Sequence, residues 1–288
     1  MKQTSPQARS SRDRMRLASR EKPAGDQLPY ARHLDDSTLI SRDGMTLQVL
    51  HIDGFAFETA DTDELNYRKA VRDTMLRGVA SSRLGIYHHV LRRLARPEIE
   101  GHYTAPFARV LDQAWRKRLA SKKLYVNDLF ITLVRKPPSA GGGLLGGLFG
   151  AGPTLDATGR ARDRRELDAA REALLAALQP YGARLLSVYD TPHGPCSEPL
   201  EFLSALYNAE MRPILMPPGD AGQAIPYRRV SFGLDALELA KAGDLERQFA
   251  AMISIKEYPP HTAAGQLDGL LRIPHELVLT ESYAFVDR

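Results

Sequence analysis

The 288-residue sequence predicts an α+β fold in which mixed, largely antiparallel sheets pack with helices. Segments with the period-two alternation of strands occur between segments with the spacing of amphipathic helices. Several connections between strand segments are shorter than the roughly twelve residues that a parallel crossover needs, so antiparallel pairing is expected. Hydrophobic residues make up 43% of the chain, which is enough to bury a core in one large domain or two small ones.

The first elements of the chain are predicted from turns and caps. Residues 46–57 alternate apolar and polar side chains after the turn Asp43-Gly44, which predicts a strand or a bent pair of strands. Asp61, with Glu64 three residues later, forms a capping-box pattern that predicts the start of a helix. The side chains of this helix that are expected to point inward are Leu65, Val71, Met75 and Val79. Residues 86–94 then predict a strand.

Pro106 predicts the start of a second helix, because proline is favoured in the first helical turn. Its apolar residues at helical spacing are Val110, Leu111, Trp115 and Leu119, and its far side carries Arg116, Lys117 and Arg118. Residues 124–134 are rich in β-branched and aromatic side chains and predict a central strand. That strand is expected to stop before Pro137-Pro138.

The second half repeats this alternation. Residues 167–178 predict an alanine- and leucine-rich helix that ends at Pro180 and Gly182, and residues 184–189 predict the strand that follows. Ser197 predicts the N-cap of a helix that runs through Tyr207. The remaining predicted elements are strands over 227–234, 248–255 and 276–286 and a short helix over 266–271.

Charge and composition predict the organisation of the chain. Residues 1–30 hold seven basic and three acidic groups, so the remaining 258 residues carry 32 of each sign and the net charge of +4 belongs to this tail. We expect a disordered basic tail over 1–27 and an ordered domain over 28–288. A glycine-rich insertion at 137–159 is expected to separate two lobes, 28–136 and 160–288, of similar β-α-β content.

Several classes of chemistry have no support in the sequence. The single cysteine, Cys196, excludes a disulfide framework and any multi-cysteine metal site. No Gly-Lys dipeptide occurs, so no phosphate-binding loop of the Walker type is present. His88 and His89 are adjacent on a predicted strand and therefore point to opposite faces, which predicts one buried and one exposed histidine rather than a metal site. We therefore expect no catalytic, cofactor-binding or metal-binding residues.

Two basic features remain as alternatives for binding. A stripe that contains Arg92-Arg93, Arg116 to Arg118 and Lys122-Lys123 would, together with the basic tail, suit nucleic acid, and the stripe would also suit an acidic protein. The zero net charge of residues 31–288 favours solvated faces balanced by nearby acids instead. The tail is expected to bind an anionic membrane surface through its arginines. These are Arg9, Arg12, Arg14, Arg16 and Arg20.

The run Gly141–Gly152 predicts a second contact. Its large apolar side chains are Leu144, Leu145, Leu148 and Phe149. The glycines disfavour a stable helix, and exposed apolar side chains of this kind often mark an interaction site. We expect these four side chains to contact the membrane or a membrane subunit, with a flexible linker between the lobes as the alternative.

Stretches in one order along the chain resemble a known family. These stretches are Leu28 to Tyr30, Leu34-Asp35, Asp43-Gly44, Gly54 to Glu58, His88 to Arg93, Leu124 to Val134, Ser197 to Leu203 with Asn208, Ser254 to Pro259 and Leu270 to Phe285. Together they resemble the CagE/TrbE/VirB family of type IV secretion and conjugative-transfer ATPases. No single stretch is diagnostic, and the resemblance rests on the ordered set.

The resemblance implies the amino-terminal domain of a two-domain motor protein whose ATPase domain, with ATP and Mg²⁺, follows this region. Because the sequence stops before the motifs of that domain, the chain is expected to be inactive alone and to dock the motor on the inner-membrane complex. The implied location is cytoplasmic and peripheral to the bacterial inner membrane. The implied partners are inner-membrane subunits, other secretion ATPases and further copies of the chain, in hexamers or dimer-based multimers. The cargo, DNA or protein, is left open.

Overall fold

The computed structural model of the chain describes residues 23–55, 60–95, 101–137, 157–241, 247–255, 257, 260–261 and 269–286. Within them, strands β1 to β12 are Tyr30–His33, Thr38–Ser41, Thr46–Ile52, Leu84–Ala95, Leu124–Arg135, Arg184–Leu185, Val188–Thr191, Gly194–Ser197, Arg229–Phe232, Leu237–Ala240, Arg247–Ala250 and Leu277–Ala284. Helices α1 to α6 are Ala24–Gln27, Thr62–Gly78, Pro106–Ala120, Ala157–Leu178, Glu198–Asn208 and Ala221–Ala224. Short 3₁₀ turns are Gln179–Tyr181 and Leu270–Arg272. The strand pairs are antiparallel and pack with helices, so the predicted α+β class is confirmed.

The described residues form two compact units, and each unit draws on two separate stretches of the chain. The first unit contains the described parts of Met1–Asp43 and Ser187–Ala251, and the second contains those of Gly44–Leu186 and Met252–Arg288. This division does not follow the consecutive lobes 28–136 and 160–288. The physical reason is strand pairing: β12, near the end of the chain, pairs along its whole length with β4 from the first half.

The sheet of the second unit has β5 as a central strand, as the sequence predicts. β5 pairs with β4 over all of its residues, from Leu124 to Arg135. On its other side it pairs with β3 from Leu129 to Arg135. β12 extends the sheet beyond β4, and β6 pairs with two residues of β3. The order β12–β4–β5–β3 covers both edges of β5 from Leu129 to Arg135, which agrees with the strand-forming side chains of this segment.

The core of this unit lies between the sheet and α4. Leu50 and Leu133 on the sheet and Leu167 and Leu174 on α4 are fully buried. Burial of each such side chain contributes about 1.5–3 kcal/mol. The helix predicted over 167–178 is present but begins ten residues earlier, at Ala157.

Buried charges connect α4 to the sheet. The Arg83 guanidinium donates to both carboxylate oxygens of Asp163 at 2.6 Å, and Asp163 is buried. Arg135, also buried, lies with its Nε 3.7 Å from the same carboxylate and forms a second ion pair with Glu166. Removing one partner of such a group leaves an uncompensated buried charge, which is strongly destabilising. The network therefore fixes the register of α4 against β5.

The helix α2 begins as predicted, with one difference at its cap. The Asp61 side chain accepts a hydrogen bond from the Glu64 amide at 2.8 Å. The Glu64 carboxylate pairs with Arg68 instead of returning to Asp61, so only half of the capping box forms. Val79 is buried and Met75 packs against the core, whereas Leu65 is 40% exposed. The prediction that Leu65 points inward is therefore wrong, because the first turn of α2 extends past the core.

In the first unit, α5 is capped where the sequence predicts. The Ser197 hydroxyl accepts from the Leu200 amide at 3.2 Å. The same hydroxyl lies 2.9 Å from His33 Nε2, and His33 Nδ1 lies 3.0 Å from the carbonyl of Asp35. Because a carbonyl only accepts, Nδ1 donates to it, and in the neutral ring Nε2 accepts from the Ser197 hydroxyl. Burial lowers the pKa of His33 and supports this state.

The other end of α5 is held by Asn208, which is fully buried. Its amide nitrogen donates to the carbonyls of Ser204 and Ile225 at 2.9 and 2.8 Å. Its carbonyl oxygen accepts from the amides of Tyr227 and Arg228 at 3.1 and 2.9 Å. A single side chain thus connects the last turn of α5 to the segment that leads into β9.

The remaining strands are shorter than the sequence predicts. The segments 227–234, 248–255 and 276–286 form strands at 229–232, 247–250 and 277–284. The segment 184–189 is divided into β6 and β7, whose partners, β3 and β8, lie in different sheets. Of the predicted helix 266–271, residues 266–268 lie outside the described residues, and the 3₁₀ turn begins at Leu270.

Candidate interaction surfaces

The helix α3 presents its apolar side chains to solvent. Phe107, Val110, Leu111 and Trp115 are between 54% and 77% exposed, and α3 has no buried residue. The sequence predicts Val110, Leu111 and Trp115 at helical spacing, and the structure exposes all three, whereas Leu119 is half-buried. A helix with such a stripe normally packs it against a core, so its exposure marks a candidate contact surface.

The side of α3 that is shielded from solvent is held by polar contacts. The Arg116 Nε donates to Asp112 Oδ2 at 2.6 Å, one helical turn away. The Tyr103 hydroxyl lies 3.1 Å from Asp112 Oδ1. A cavity of about 440 Å³ lies beside these residues, and its lining includes His102 and Arg109. The half-buried residues of α3 are thus joined to one another and to the preceding segment by polar contacts rather than to an apolar core.

The predicted basic stripe is partly neutralised. Arg93 pairs with Asp128 at 2.5 Å, and Arg116 pairs with Asp112. The guanidinium of Arg92 lies 4.8 Å from the ring centroid of Tyr125. These contacts support the interpretation of Arg92, Arg93 and Arg116 as residues of a balanced surface rather than a continuous path for nucleic acid.

The first unit has a candidate surface on its three-stranded sheet. The strand order is β11–β10–β9, so β11 is an edge strand that pairs with β10 alone within the described residues. Phe249 on β11 and Phe232 on β9 are 71% and 83% exposed, and Leu234 in the following turn is fully exposed. Cross-strand register puts Phe232 opposite Leu237 and Phe249 opposite Glu238, so the two aromatic rings lie on opposite faces.

A second cavity of about 460 Å³ lies in the same unit, next to the loop Met216–Asp220. Its lining includes His33, Arg32 and Arg42. Arg42 is already bound by Asp220 at 2.7 Å and by the carbonyls of Leu28 and Gly25. His33 holds the cap of α5, as described above. The side chains that could act chemically in this cavity therefore serve the fold.

The histidines and the cysteine behave as structural groups. His89 is buried between the hydroxyls of Thr132 and Thr280, at 3.2 and 3.0 Å, and burial lowers its pKa to about 4. His88 is half-buried on the opposite face, 3.7 Å from Glu281, and burial lowers its pKa as well. The predicted opposite facing of the pair is confirmed, although His88 is less exposed than expected. Cys196 is a buried free thiol.

Among the described residues, no three His, Cys, Asp or Glu side chains come together as a metal site. No helix within the described ranges is long and apolar enough to cross a membrane.

The contact residues predicted from the sequence lie outside the described residues. They are Leu144, Leu145, Leu148 and Phe149 of the insertion and Arg9, Arg12, Arg14, Arg16 and Arg20 of the tail. The surfaces on α3 and on β9–β11 were missed by sequence reasoning. The signal for α3 is its run of apolar residues at helical spacing, but spacing alone does not show whether such a face meets a core or solvent.

Comparison with known families agrees with the ordered motifs. Residues 37–143 match the family described as type IV secretion system ATPase VirB4/TrbE, N-terminal domain. Residues 184–288 match the CagE, TrbE, VirB family, a component of the type IV transporter system. The mixed α+β chain is thus of the class of type IV secretion components.

Curated relatives support the same assignment. The chain is 33% identical over 276 residues to the type IV secretion system protein virB4 of Bartonella henselae, covering 94% of this chain and 35% of that protein. It is 30% identical over 262 residues to protein virB4 of Agrobacterium fabrum, covering 91% and 33%. It is 27% identical over 272 residues to the Brucella suis protein, covering 91% and 32%. The chain belongs to the VirB4/TrbE family and spans about a third of the length of these relatives.

Proposed function

We propose that this chain is a non-catalytic docking and assembly module of a type IV secretion ATPase. The proposal combines family membership with one observation, the open edge of β11 and its exposed Phe249 in the first unit. The module attaches the motor to the inner-membrane complex and supports its oligomerisation for export of DNA or protein. It works on the cytoplasmic side, peripheral to the inner membrane.

The open edge supports docking by strand addition. An edge strand presents unpaired backbone amides and carbonyls, and native proteins usually protect such an edge or use it to bind another strand. β11 has Arg247 as its only charged side chain, and this arginine pairs with Glu238 on the neighbouring strand at 3.1 Å. The exposed ring of Phe249 next to this edge would give a bound strand an apolar contact.

The partners follow from the family. They are inner-membrane subunits of the secretion system, further copies of this chain in a hexamer or dimer-based multimer, and other secretion ATPases. ATP hydrolysis, with Mg²⁺, belongs to the part of the family's proteins that this chain does not span. The insertion residues Leu144, Leu145, Leu148 and Phe149 remain predicted contacts of the module, as do the tail arginines.

Affinity capture with single inner-membrane subunits of the cognate secretion system tests the proposal. The full chain is immobilised, and each detergent-solubilised subunit is titrated against it. Replacement of Phe249 by Glu removes the apolar contact and adds a charge at the edge, so we expect binding of at least one subunit to weaken at least tenfold. The matched control is Tyr67→Glu, which changes an aromatic side chain 70% exposed on α2.

Light scattering on the same proteins follows oligomerisation, with far-ultraviolet circular dichroism as the check on folding. Equal binding and equal assembly of the parent chain and Phe249→Glu would contradict the role of β11. A loss shared with Tyr67→Glu would assign the effect to surface charge in general and would also reject this edge as the docking site.

A further inference from the structure

The helix α3 has the side-chain arrangement of a helix that lies in a membrane surface. Its exposed apolar residues follow the spacing i, i+3, i+4, i+7 and i+8, which places them in one stripe. The members of this stripe are Phe107, Val110, Leu111, Ala114 and Trp115. Phenylalanine and tryptophan are typical of helices that insert one face at the boundary of headgroups and acyl chains. The stripe is therefore both continuous and of suitable composition.

The stripe lies on the side of α3 that meets solvent. Phe107 and Trp115 are 77% and 54% exposed, so a partner can reach them. The half-buried side of α3 carries Asp112 and Arg116 instead, whose ion pair at 2.6 Å is joined by the hydroxyl of Tyr103. Apolar and polar side chains are thus separated on the two sides of the helix.

The charge around the stripe selects the partner. Residues 106–123 carry six basic groups and one acidic group. Asp112 neutralises Arg116. Within the described residues, the other five basic side chains form no ion pair. They are Arg109, Lys117, Arg118, Lys122 and Lys123. An apolar stripe with cations beside it is complementary to a bilayer that contains anionic lipids, because the headgroups attract the cations and the acyl boundary accepts the stripe.

Other occupants fit this surface less well. Two copies of the chain that met through α3 would bring two strongly basic faces together, which opposes a symmetric contact. Nucleic acid would satisfy the cations through its phosphates, but it would leave Phe107, Val110 and Leu111 without a role. An anionic lipid surface uses both the charged and the apolar side chains.

We propose that α3 binds anionic lipid bilayers, with Phe107, Val110, Leu111 and Trp115 at the headgroup boundary and Lys117, Arg118, Lys122 and Lys123 among the headgroups. The inference deepens the proposed function, since it supplies a lipid contact for a module placed at the inner membrane. It depends on a different unit and a different surface from the β11 edge. Its test uses vesicles without any protein subunit, so the two proposals can fail separately.

Trp115 makes the test direct, because it is the only tryptophan of the chain. Its emission reports on α3 alone when the full protein is titrated with vesicles. The vesicles contain phosphatidylethanolamine and phosphatidylglycerol in 0.1 M salt, where the Debye length is about 10 Å. With these vesicles we expect a blue shift of the emission and quenching by brominated acyl chains. With phosphatidylcholine vesicles we expect little change.

Two variants separate the apolar and electrostatic parts while keeping Trp115 as the reporter. Replacing Phe107, Val110 and Leu111 by Ser should lower the vesicle partition coefficient at least tenfold. Replacing Lys117 and Arg118 by Glu should lower it at least tenfold for anionic vesicles and reduce its dependence on salt. The matched control replaces Leu65 and Tyr67, exposed apolar residues on α2, by Ser. Circular dichroism confirms that each variant folds.

Three results would overturn the inference. Unchanged emission of Trp115 together with binding of vesicles would assign the attraction to the basic tail, which all of these proteins share. Equal shifts with anionic and zwitterionic vesicles would remove the electrostatic part. Loss of capture of a membrane subunit by the triple serine variant, with vesicle binding intact, would make α3 a protein-docking helix instead.

Discussion

The polar residues within the family-like stretches act mainly on the fold of the first unit. Ser197 caps α5, and the Glu198 carboxylate accepts from the amide of Ser187 at 3.0 Å. Glu201 accepts from the Tyr189 hydroxyl at 2.8 Å. Asn208 closes the other end of the helix. Several polar side chains of these motifs thus form hydrogen bonds with backbone groups. Such bonds stabilise the fold, since buried amides and carbonyls are costly to leave unpaired.

At the same scale, His89 should make stability depend on pH. Its pKa is about 4 in the fold, against 6.5 for an ordinary histidine, because burial disfavours the charged ring and His88 adds a smaller repulsion. The unfolded chain therefore binds the proton more readily. The contribution of neutral His89 to the free energy of unfolding is therefore complete above pH 6.5. It is lost as the pH falls from 6.5 toward 4, which lowers the free energy of unfolding by roughly 3 kcal/mol in all.

Urea unfolding of the full chain between pH 7.5 and 4 measures this effect against the variant His89→Gln, which does not titrate. The free energy of unfolding of the variant should fall less steeply over this range than that of the parent chain. His193→Gln, in an exposed turn, is the control for loss of a histidine. Parallel curves for the parent chain and His89→Gln would show that the neutral state of His89 does not contribute to stability.

Among the elements, α3 and α4 show how similar patterns lead to different outcomes. Both have apolar residues at helical spacing and several arginines. α4 buries Leu167 and Leu174 against the sheet, whereas α3 exposes its stripe. The difference depends on what each helix meets after folding. Arg83 pairs with the buried Asp163 and attaches α4 to the sheet, whereas the ion pair of Asp112 with Arg116 lies within α3 itself.

Asn208 gives a prediction about the connection of α5 to β9. Replacement by Ala removes its hydrogen bonds to the carbonyls of Ser204 and Ile225 and to the amides of Tyr227 and Arg228, all at a fully buried site. The free energy of unfolding of the first unit should fall by roughly 3 kcal/mol, since buried groups left without partners cost about 1–3 kcal/mol each.

Denaturant titration followed by circular dichroism measures this change. Gln113→Ala, which removes an exposed amide side chain on α3, should stay within about 0.5 kcal/mol of the parent chain. If Asn208→Ala also stays within that range, the described hydrogen bonds are not what holds the segment 225–228.

For the whole molecule, each compact unit combines segments that are distant in sequence. β12 joins the second unit through full antiparallel pairing with β4, and Ser187–Ala251 joins the first unit with the described part of Met1–Asp43. The two described stretches that flank residues 138–156 belong to the same unit, the second. Composition marks where an insertion lies along a chain, but it does not show which segments pair across it.

At this scale we predict that the 288-residue chain does not hydrolyse ATP. Its sequence contains no Gly-Lys dipeptide and hence no loop of the Walker type to hold the phosphates. Phosphate release should stay at the level of the buffer with ATP and Mg²⁺ present, in a coupled assay on highly purified protein. A mock purification from cells that do not express the chain, made in parallel, serves as the control for contaminating ATPases. Turnover above both backgrounds would contradict the assignment of a non-catalytic module.

The sequence by itself determined the fold class, the central strand at 124–134, the helix starts at Asp61 and Ser197, and the family. These features depend on the spacing of residues that are neighbours along the chain and on the order of short motifs, so no distant partner is needed to recognise them. The tertiary structure alone decided which segments share a unit, why His89 is neutral and which side of α3 meets solvent. Each of these depends on side chains far apart in sequence, such as Thr280 beside His89, and local patterns carry no information about them.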